Sequence, residues 1–180
     1  MYNIREAMDV SNFLKPTMYA KDIFHISYNR LKEMGIQYLL FDIDNTIAQT
    51  NVKTVSGEVE DLFKNLKKEG FGVVLLTNAL PRRAKRFGAH LGIDSFCLSW
   101  KPARFHYKKI IKKYNLMHEE IAAIGDQIYT DIKGANKMGI LSVLVDPLSK
   151  RESVFTKLNR VKEDRLIKKK KVITRGEYYE

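Results

Sequence analysis

Gln37-Tyr38-Leu39-Leu40-Phe41-Asp42-Ile43-Asp44-Asn45-Thr46 decides how the rest of the chain is read. An apolar run ending in two carboxylates one residue apart has the pattern of a buried parallel strand that delivers acids to its C-terminal edge. That edge is where open α/β sheets build ligand sites. Residues i and i+2 of a strand point the same way, so Asp42 and Asp44 start on one face and crowd each other. Two like charges that close demand a cation nearby or a proton on one of them.

Working outward, apolar runs and helical patterns alternate. Val59, Leu62, Phe63 and Leu66 predict a helix over 55–70, acidic at its start, basic at its end and stopped by Gly70. Phe71 to Asn78 is a second strand, and Leu80-Pro81 opens a helix that stops near Gly92. Ser95 to Ser99 is a short third strand, followed by a basic helix over 103–115. Glu120 to Asp126 is a fourth strand, a short helix ends at Gly139, and Ile140 to Asp146 is a fifth. Strands alternating with helices specify a parallel sheet with right-handed crossovers. The expected fold is therefore an α/β three-layer sandwich around a five-stranded parallel sheet. Residues 1–36 are expected to form an arm and a helix near 26–34 packed on the core, which spans 37–149. Residues 150–180 form a basic tail, in which Val154, Phe155, Leu158 and Val161 suggest an amphipathic helix and Lys168 to Lys171 extend past the fold.

The net charge is +11, and the last 31 residues carry 11 Lys/Arg against 5 Asp/Glu. Such a tail suits an anionic partner or simply a solvated, solubilising segment. Cys97 is the one cysteine, so no intrachain disulfide forms. The first 15 residues carry Arg5, Glu6 and Asp9 and lack the apolar centre of a signal peptide, and no apolar run approaches the ~20 residues that cross a bilayer. The expected compartment is the cytoplasm, with peripheral membrane contact as an option through the tail.

Four polar signatures fall at successive strand ends: Asp42-x-Asp44-x-Thr46, Thr77-Asn78, Lys101-Pro102 and Gly125-Asp126-x4-Asp131. Each alone has an ordinary explanation, such as a helix cap or a solvated lysine. Their order and placement resemble the four motifs of the haloacid dehalogenase superfamily over roughly Ile36 to Pro147. The resemblance implies a Rossmann-like phosphatase core. Asp42 would be the nucleophile that forms an aspartyl-phosphate, and Asp44 the acid and then base at the leaving oxygen and water. Thr77 and the backbone around Asn78 would hold phosphate oxygens, with Lys101 offsetting their charge. Asp126 would complete a Mg²⁺ site with the Asp42 carboxylate and the Asp44 backbone carbonyl. Thr46 belongs to the same motif. Asp131 either supports the site by orienting a water or Lys101, or caps the helix after Thr130. An intact Asp-x-Asp points to phosphoryl transfer, since a halide leaving group needs no proton.

Only 32 residues separate Asp44 from Thr77, room for a loop and one helix but no lid, so no cap domain is expected. An open site suits a large or exposed substrate, because small ones usually require closure. The capless layout, Gly125-Asp126-Gln127-Ile128-Tyr129-Thr130-Asp131 and the arm Phe13-Leu14-Lys15-Pro16 resemble the bacterial YqeG family, subclass IIIA, which is similar to phosphatidylglycerophosphate phosphatases. The resemblance implies a phosphorylated substrate, with a lipid phosphate as candidate. Residues 157–175 could meet an anionic membrane. The same charge would attract a nucleic-acid end, and a non-catalytic binding protein on this fold is a third option. His25, His90, His106 and His118 form no metal-spaced group. Trp100, beside Lys101, either walls the substrate entrance or is a partly buried packing residue.

Overall fold

The computed structural model describes residues 12–149, 161–165, 167 and 172–180. From residue 18 to 145 the strands and α-helices follow in order: β1 (Met18–Ala20), α1 (Tyr28–Glu33), β2 (Tyr38–Phe41), α2 (Gly57–Lys68), β3 (Gly72–Leu76), α3 (Pro81–Leu91), β4 (Ser95–Phe96), α4 (Phe105–Tyr114), β5 (Ile121–Gly125), α5 (Lys133–Asn136) and β6 (Leu141–Val145). They form one parallel sheet of order β1-β6-β5-β2-β3-β4 with helices on both faces.

The sheet has six strands where the sequence predicts five. The extra one, β1, pairs with β6 from Met18↔Val143 to Ala20↔Val145, inside the segment read as an arm. Three residues carry too little periodicity to announce a strand. They become one because β6 offers an unpaired edge. That edge is then closed by the other end of the chain. Tyr179 N–H donates to Tyr19 O at 2.8 Å and Tyr19 N–H to Tyr179 O at 2.7 Å.

Alternation along the strands builds two cores. Leu39 and Phe41 of β2 face one layer with Phe63, Leu66 and Phe87, while Leu40 faces the other with Leu76, Tyr107 and Ile110. Helix α2 is held by Ser56, whose hydroxyl accepts from Val59 N–H at 3.4 Å, and it buries Val59, Phe63 and Leu66. Helix α3 starts on Pro81 and stops at Gly92, whose φ of 61° is the left-handed turn that glycine adopts freely.

A third apolar cluster joins Leu14, Tyr19, Ile128 and Leu144 to Val172 and Ile173, so the described end of the basic tail folds back onto the sheet. Asp146, at the end of β6, fastens it by accepting from Tyr19 Oη at 2.5 Å, Tyr178 Oη at 2.8 Å and Arg175 Nη1 at 3.2 Å. Residues 161–165 are helical and bury Glu163, to which Tyr129 N–H donates at 3.1 Å. Val154, Phe155, Leu158 and Lys168 to Lys171 lie outside the described residues. No helix among the described residues is long and apolar enough to cross a membrane.

Candidate active site

Strand order reverses at β2, which has β3 on one side and β5 on the other. The crevice beyond the carboxyl ends of such strands is the natural ligand position in an open α/β sheet. Asp42 follows β2 directly and Asp126 follows β5, so the register Phe41↔Ile124 brings both to one edge. Asp42 keeps the ladder going for one more residue, its N–H donating to Ile124 O at 2.9 Å.

The chain then turns sharply. Asn45 has a φ of 63°, a left-handed conformation that asparagine tolerates better than most residues. Its N–H donates to Ala48 O at 2.8 Å, and Ala48 N–H donates to Ile43 O at 3.1 Å. The turn separates the two aspartates that the strand pattern placed together. Asp42 faces inward to Lys101, whereas Asp44 meets Arg83, with Arg83 Nε 2.9 Å from Asp44 Oδ1.

Lys101 is the hub. Its ammonium donates to Asp42 Oδ1 at 2.6 Å and Leu76 O at 2.8 Å, and lies 2.5 Å from Asp131 Oδ1. All three ionic side chains are buried. Burial alone would lower the Lys101 pKa, but Asp131 and Asp42 reverse that and raise it, so the ammonium stays charged. Asn78 positions the lysine through its backbone, its Oδ1 accepting from Lys101 N–H at 2.8 Å. Asn78 itself is exposed. Thr77 is buried, and its hydroxyl oxygen accepts from Ala79 N–H at 3.1 Å, which leaves its proton to be donated.

Asp131 lies against Lys101, and it does not cap the helix after Thr130: α5 has no side-chain cap hydrogen bond. One carboxylate oxygen meets Lys101, while the other accepts from Gln127 N–H at 3.1 Å and closes the π-helical turn Ile128–Ile132. Gly125 makes this possible. A Cβ there would stand 2.3 Å from Asp131 Cγ, so only glycine lets the carboxylate lie across the end of β5. Thr46 Oγ1 donates to Asp126 Oδ1 at 3.4 Å, tying the first motif to the last.

The carboxylates of Asp42, Asp126 and Asp131 approach within 4.8 Å of one another, all buried. Three oxygen-donor anions at that spacing repel, and a hard divalent cation relieves the repulsion. The donor set therefore fits a metal such as Mg²⁺. Asp44 is different again. Burial first, then the charge of Asp42, raise its pKa to about 6, against the opposing pull of Arg83.

Arg83 is the residue that sequence reasoning passed over. It reaches back from α3 to donate to Gln49 O at 2.9 Å and to Val52 O, and its guanidinium lies 4.6 Å from the Phe87 ring centroid. The Leu80-Pro81-Arg82-Arg83 start of α3 carried no signal beyond an ordinary helix opening. Trp100, conversely, is 76% exposed, which removes the packing explanation. No cap stands over the site among the described residues.

This sheet, strand order and site define a haloacid dehalogenase-like hydrolase, and the model of that family matches residues 52–139. A probable phosphatase, YqeG of Bacillus subtilis, is 30% identical over 158 residues, covering 88% of this chain and 92% of that one. The chain belongs to this YqeG family of phosphatases, and so is a phosphoric monoester hydrolase. Phosphatidylglycerophosphate phosphatase 1 of Arabidopsis thaliana is 26% identical over 152 residues, covering 79% of this chain and 44% of that one. The 3-deoxy-D-manno-octulosonate 8-phosphate phosphatase of Moraxella catarrhalis, solved in complex with magnesium ion, phosphate ion and KDO, shares the fold. Its TM-score is 0.53 at 16% identity, over 68% of this chain and 75% of that one.

Proposed function

We propose that this protein is a Mg²⁺-dependent phosphatase that works through an aspartyl-phosphate on Asp42, with a large or exposed phosphate ester, candidate phosphatidylglycerophosphate, as substrate. The observation that carries the proposal is the split environment of the two aspartates. Asp42 is pinned beside a charged ammonium at 2.6 Å, and Asp44 is held back near a pKa of about 6. Two aspartates in such different surroundings, one against an ammonium and one with a raised pKa, divide into nucleophile and acid.

The residues then act in order. Thr77, the backbone around Asn78 and Lys101 receive the phosphate oxygens and offset their charge. Asp42 attacks phosphorus, the ester P–O bond breaks, and Asp44 gives its proton to the departing oxygen. Asp44, now a carboxylate, takes a proton from water as the water oxygen attacks the same phosphorus. The bond to Asp42 breaks and inorganic phosphate leaves. Asp42, Asp126 and the Asp44 backbone carbonyl would hold the Mg²⁺, with Asp131 beside it. When bound, the ion supplies positive charge that lets a carboxylate approach a phosphate dianion.

The lipid candidate rests on the open site and on the Arabidopsis relative named for that substrate. A cytoplasmic protein reaching the membrane from its surface fits the same picture, and the basic stretch 157–175 would add to the attraction. An aryl phosphate assay with Mg²⁺ tests the chemistry. Asp42→Asn should lower turnover by at least ~10³-fold while the protein still folds, as its circular dichroism spectrum would show. A chelator should silence the enzyme, and Ca²⁺ should restore it poorly because it favours longer bonds and more ligands. Turnover surviving either change overturns the mechanism. Phosphatidylglycerophosphate set against 5′-phosphorylated oligonucleotides then decides the substrate class.

A further inference from the structure

Large apolar side chains stand exposed on the loops around the mouth of this site, among them Val52, Leu80, Trp100 and Leu148. Leu80 is 68% exposed and Trp100 76%. They come from loops that leave four different strands, β2, β3, β4 and β6. The loops are laced together. Arg83 donates to Val52 O and Gln49 O, Leu98 N–H to Ala79 O at 3.2 Å, and Lys101 N–H to Asn78 Oδ1 at 2.8 Å. Leu148 N–H donates to Asn45 O at 3.0 Å, next to the aspartates themselves. Trp100 also has a φ of 49°, an unfavourable conformation for a bulky residue, so the surrounding turn holds it outward against local preference.

The charges at the tips of these loops have one sign, whereas Asp42, Asp44 and Asp146 lie at the loop bases. Lys53, Arg82 and Arg104 are exposed, and none of residues 49–54, 79–82, 98–105 and 147–149 is acidic. Separate apolar tips interleaved with cations, with an aromatic indole foremost, match the boundary between lipid headgroups and acyl chains. A protein partner would more readily meet one continuous apolar patch.

We propose that this rim is a membrane-docking surface: Trp100, Leu80, Val52 and Leu148 enter the headgroup boundary of an anionic bilayer, and Lys53, Arg82 and Arg104 meet its phosphates. The proposal rests on the phosphatase reading and deepens it, because docking by the rim puts Asp42 directly over lipid phosphate without lifting the lipid from the bilayer. It differs from tethering through 157–175, which would hold the protein near the surface with no set orientation.

Trp100 is the single tryptophan of the chain, so its emission reports on the rim alone. The full-length protein and Asp42→Asn are mixed with phosphatidylcholine vesicles, with and without phosphatidylglycerol. With the anionic vesicles, Trp100 emission should shift to the blue and be quenched by brominated lipid, less so at high salt. Leu80→Ser with Leu148→Ser should weaken vesicle binding by about tenfold. Protein that sediments with vesicles while Trp100 emission stays unchanged binds through another face, and that result overturns the proposal. Absence of binding at low salt also overturns it and would leave the rim to a protein substrate. Because the optical reading needs no turnover, a protein that docks without hydrolysing breaks only the phosphatase reading. One that hydrolyses aryl phosphate without docking breaks only this inference.

Discussion

The two edges of the sheet treat charge in opposite ways. At the N-terminal edge, acids remain in reach of water and are held by hydrogen bonds: Asp94 accepts from Lys113 and Tyr114, Glu120 from Gln37 and Met117 N–H. Tyr38 stacks obliquely on Tyr114 with ring centroids 4.9 Å apart. At the C-terminal edge, Asp42, Asp126 and Asp131 are buried within 4.8 Å of one another, and Lys101 is shared between two of them. Water screens the first arrangement and leaves it little energy to gain or lose. Desolvation makes the second costly unless every partner stays in place. A fold that tolerates such a concentration of buried charge at one edge, and at that edge also exposes Trp100 and Leu80, has kept that edge for chemistry rather than for stability.

Lys101→Met should break the contrast most severely. It leaves Asp42 and Asp131 buried without their ammonium, a loss of about 3–5 kcal/mol in urea denaturation. Mg²⁺ should recover part of that stability, because a cation can replace the missing charge among the carboxylates. A variant as stable as wild type, with no response to Mg²⁺, would mean the cluster is not held by charge.

Arg83→Gln should have a smaller and more specific effect. Asp44 must be protonated to act as an acid, so activity falls as pH rises through its pKa of about 6. Arg83 pulls that pKa down, so removing it raises the value and moves the falling limb of the pH–rate profile to higher pH. A limb that moves to lower pH, or stays in place, would dissociate Arg83 from the acid.

Asp94→Asn should do least. Hydrogen bonds from Lys113 and Tyr114 hold the Asp94 pKa below the ordinary carboxylate value, so its contribution is present above that value and fades as pH falls. The pair is about half exposed, and its loss should cost no more than ~1 kcal/mol with aryl phosphate turnover unchanged. A large drop in turnover would show that the two edges communicate through β4 and α4.

Much of the site was legible because it is local in the chain. Asp42, Thr77, Lys101 and Asp126 each follow an apolar strand, and a strand's end is marked in sequence by the change from apolar to polar residues. Helices 57–68 and 81–91 were legible from their period, their acidic or proline starts and their glycine stops. Arg83 was not, since nothing in a helix's first turn says that a guanidinium will reach 34 residues back along the chain to Gln49. Strand β1 escaped for a related reason: three residues form a strand only where a neighbour supplies the other half of the hydrogen bonds.

Local pattern was enough to set the order of elements, the parallel sheet and the edge that carries the acids, because strand polarity and hydrophobic period are written residue by residue. The tertiary structure alone decided how those acids divide. The turn at Asn45 sends Asp44 to Arg83 and leaves Asp42 with Lys101, and Gly125 gives Asp131 the space to join them. Tertiary structure also decided that the end of the basic tail closes the sheet, with Val172 and Ile173 buried and Tyr179 paired to Tyr19. These outcomes depend on desolvation and on distances between residues far apart in the chain, quantities that no local pattern contains.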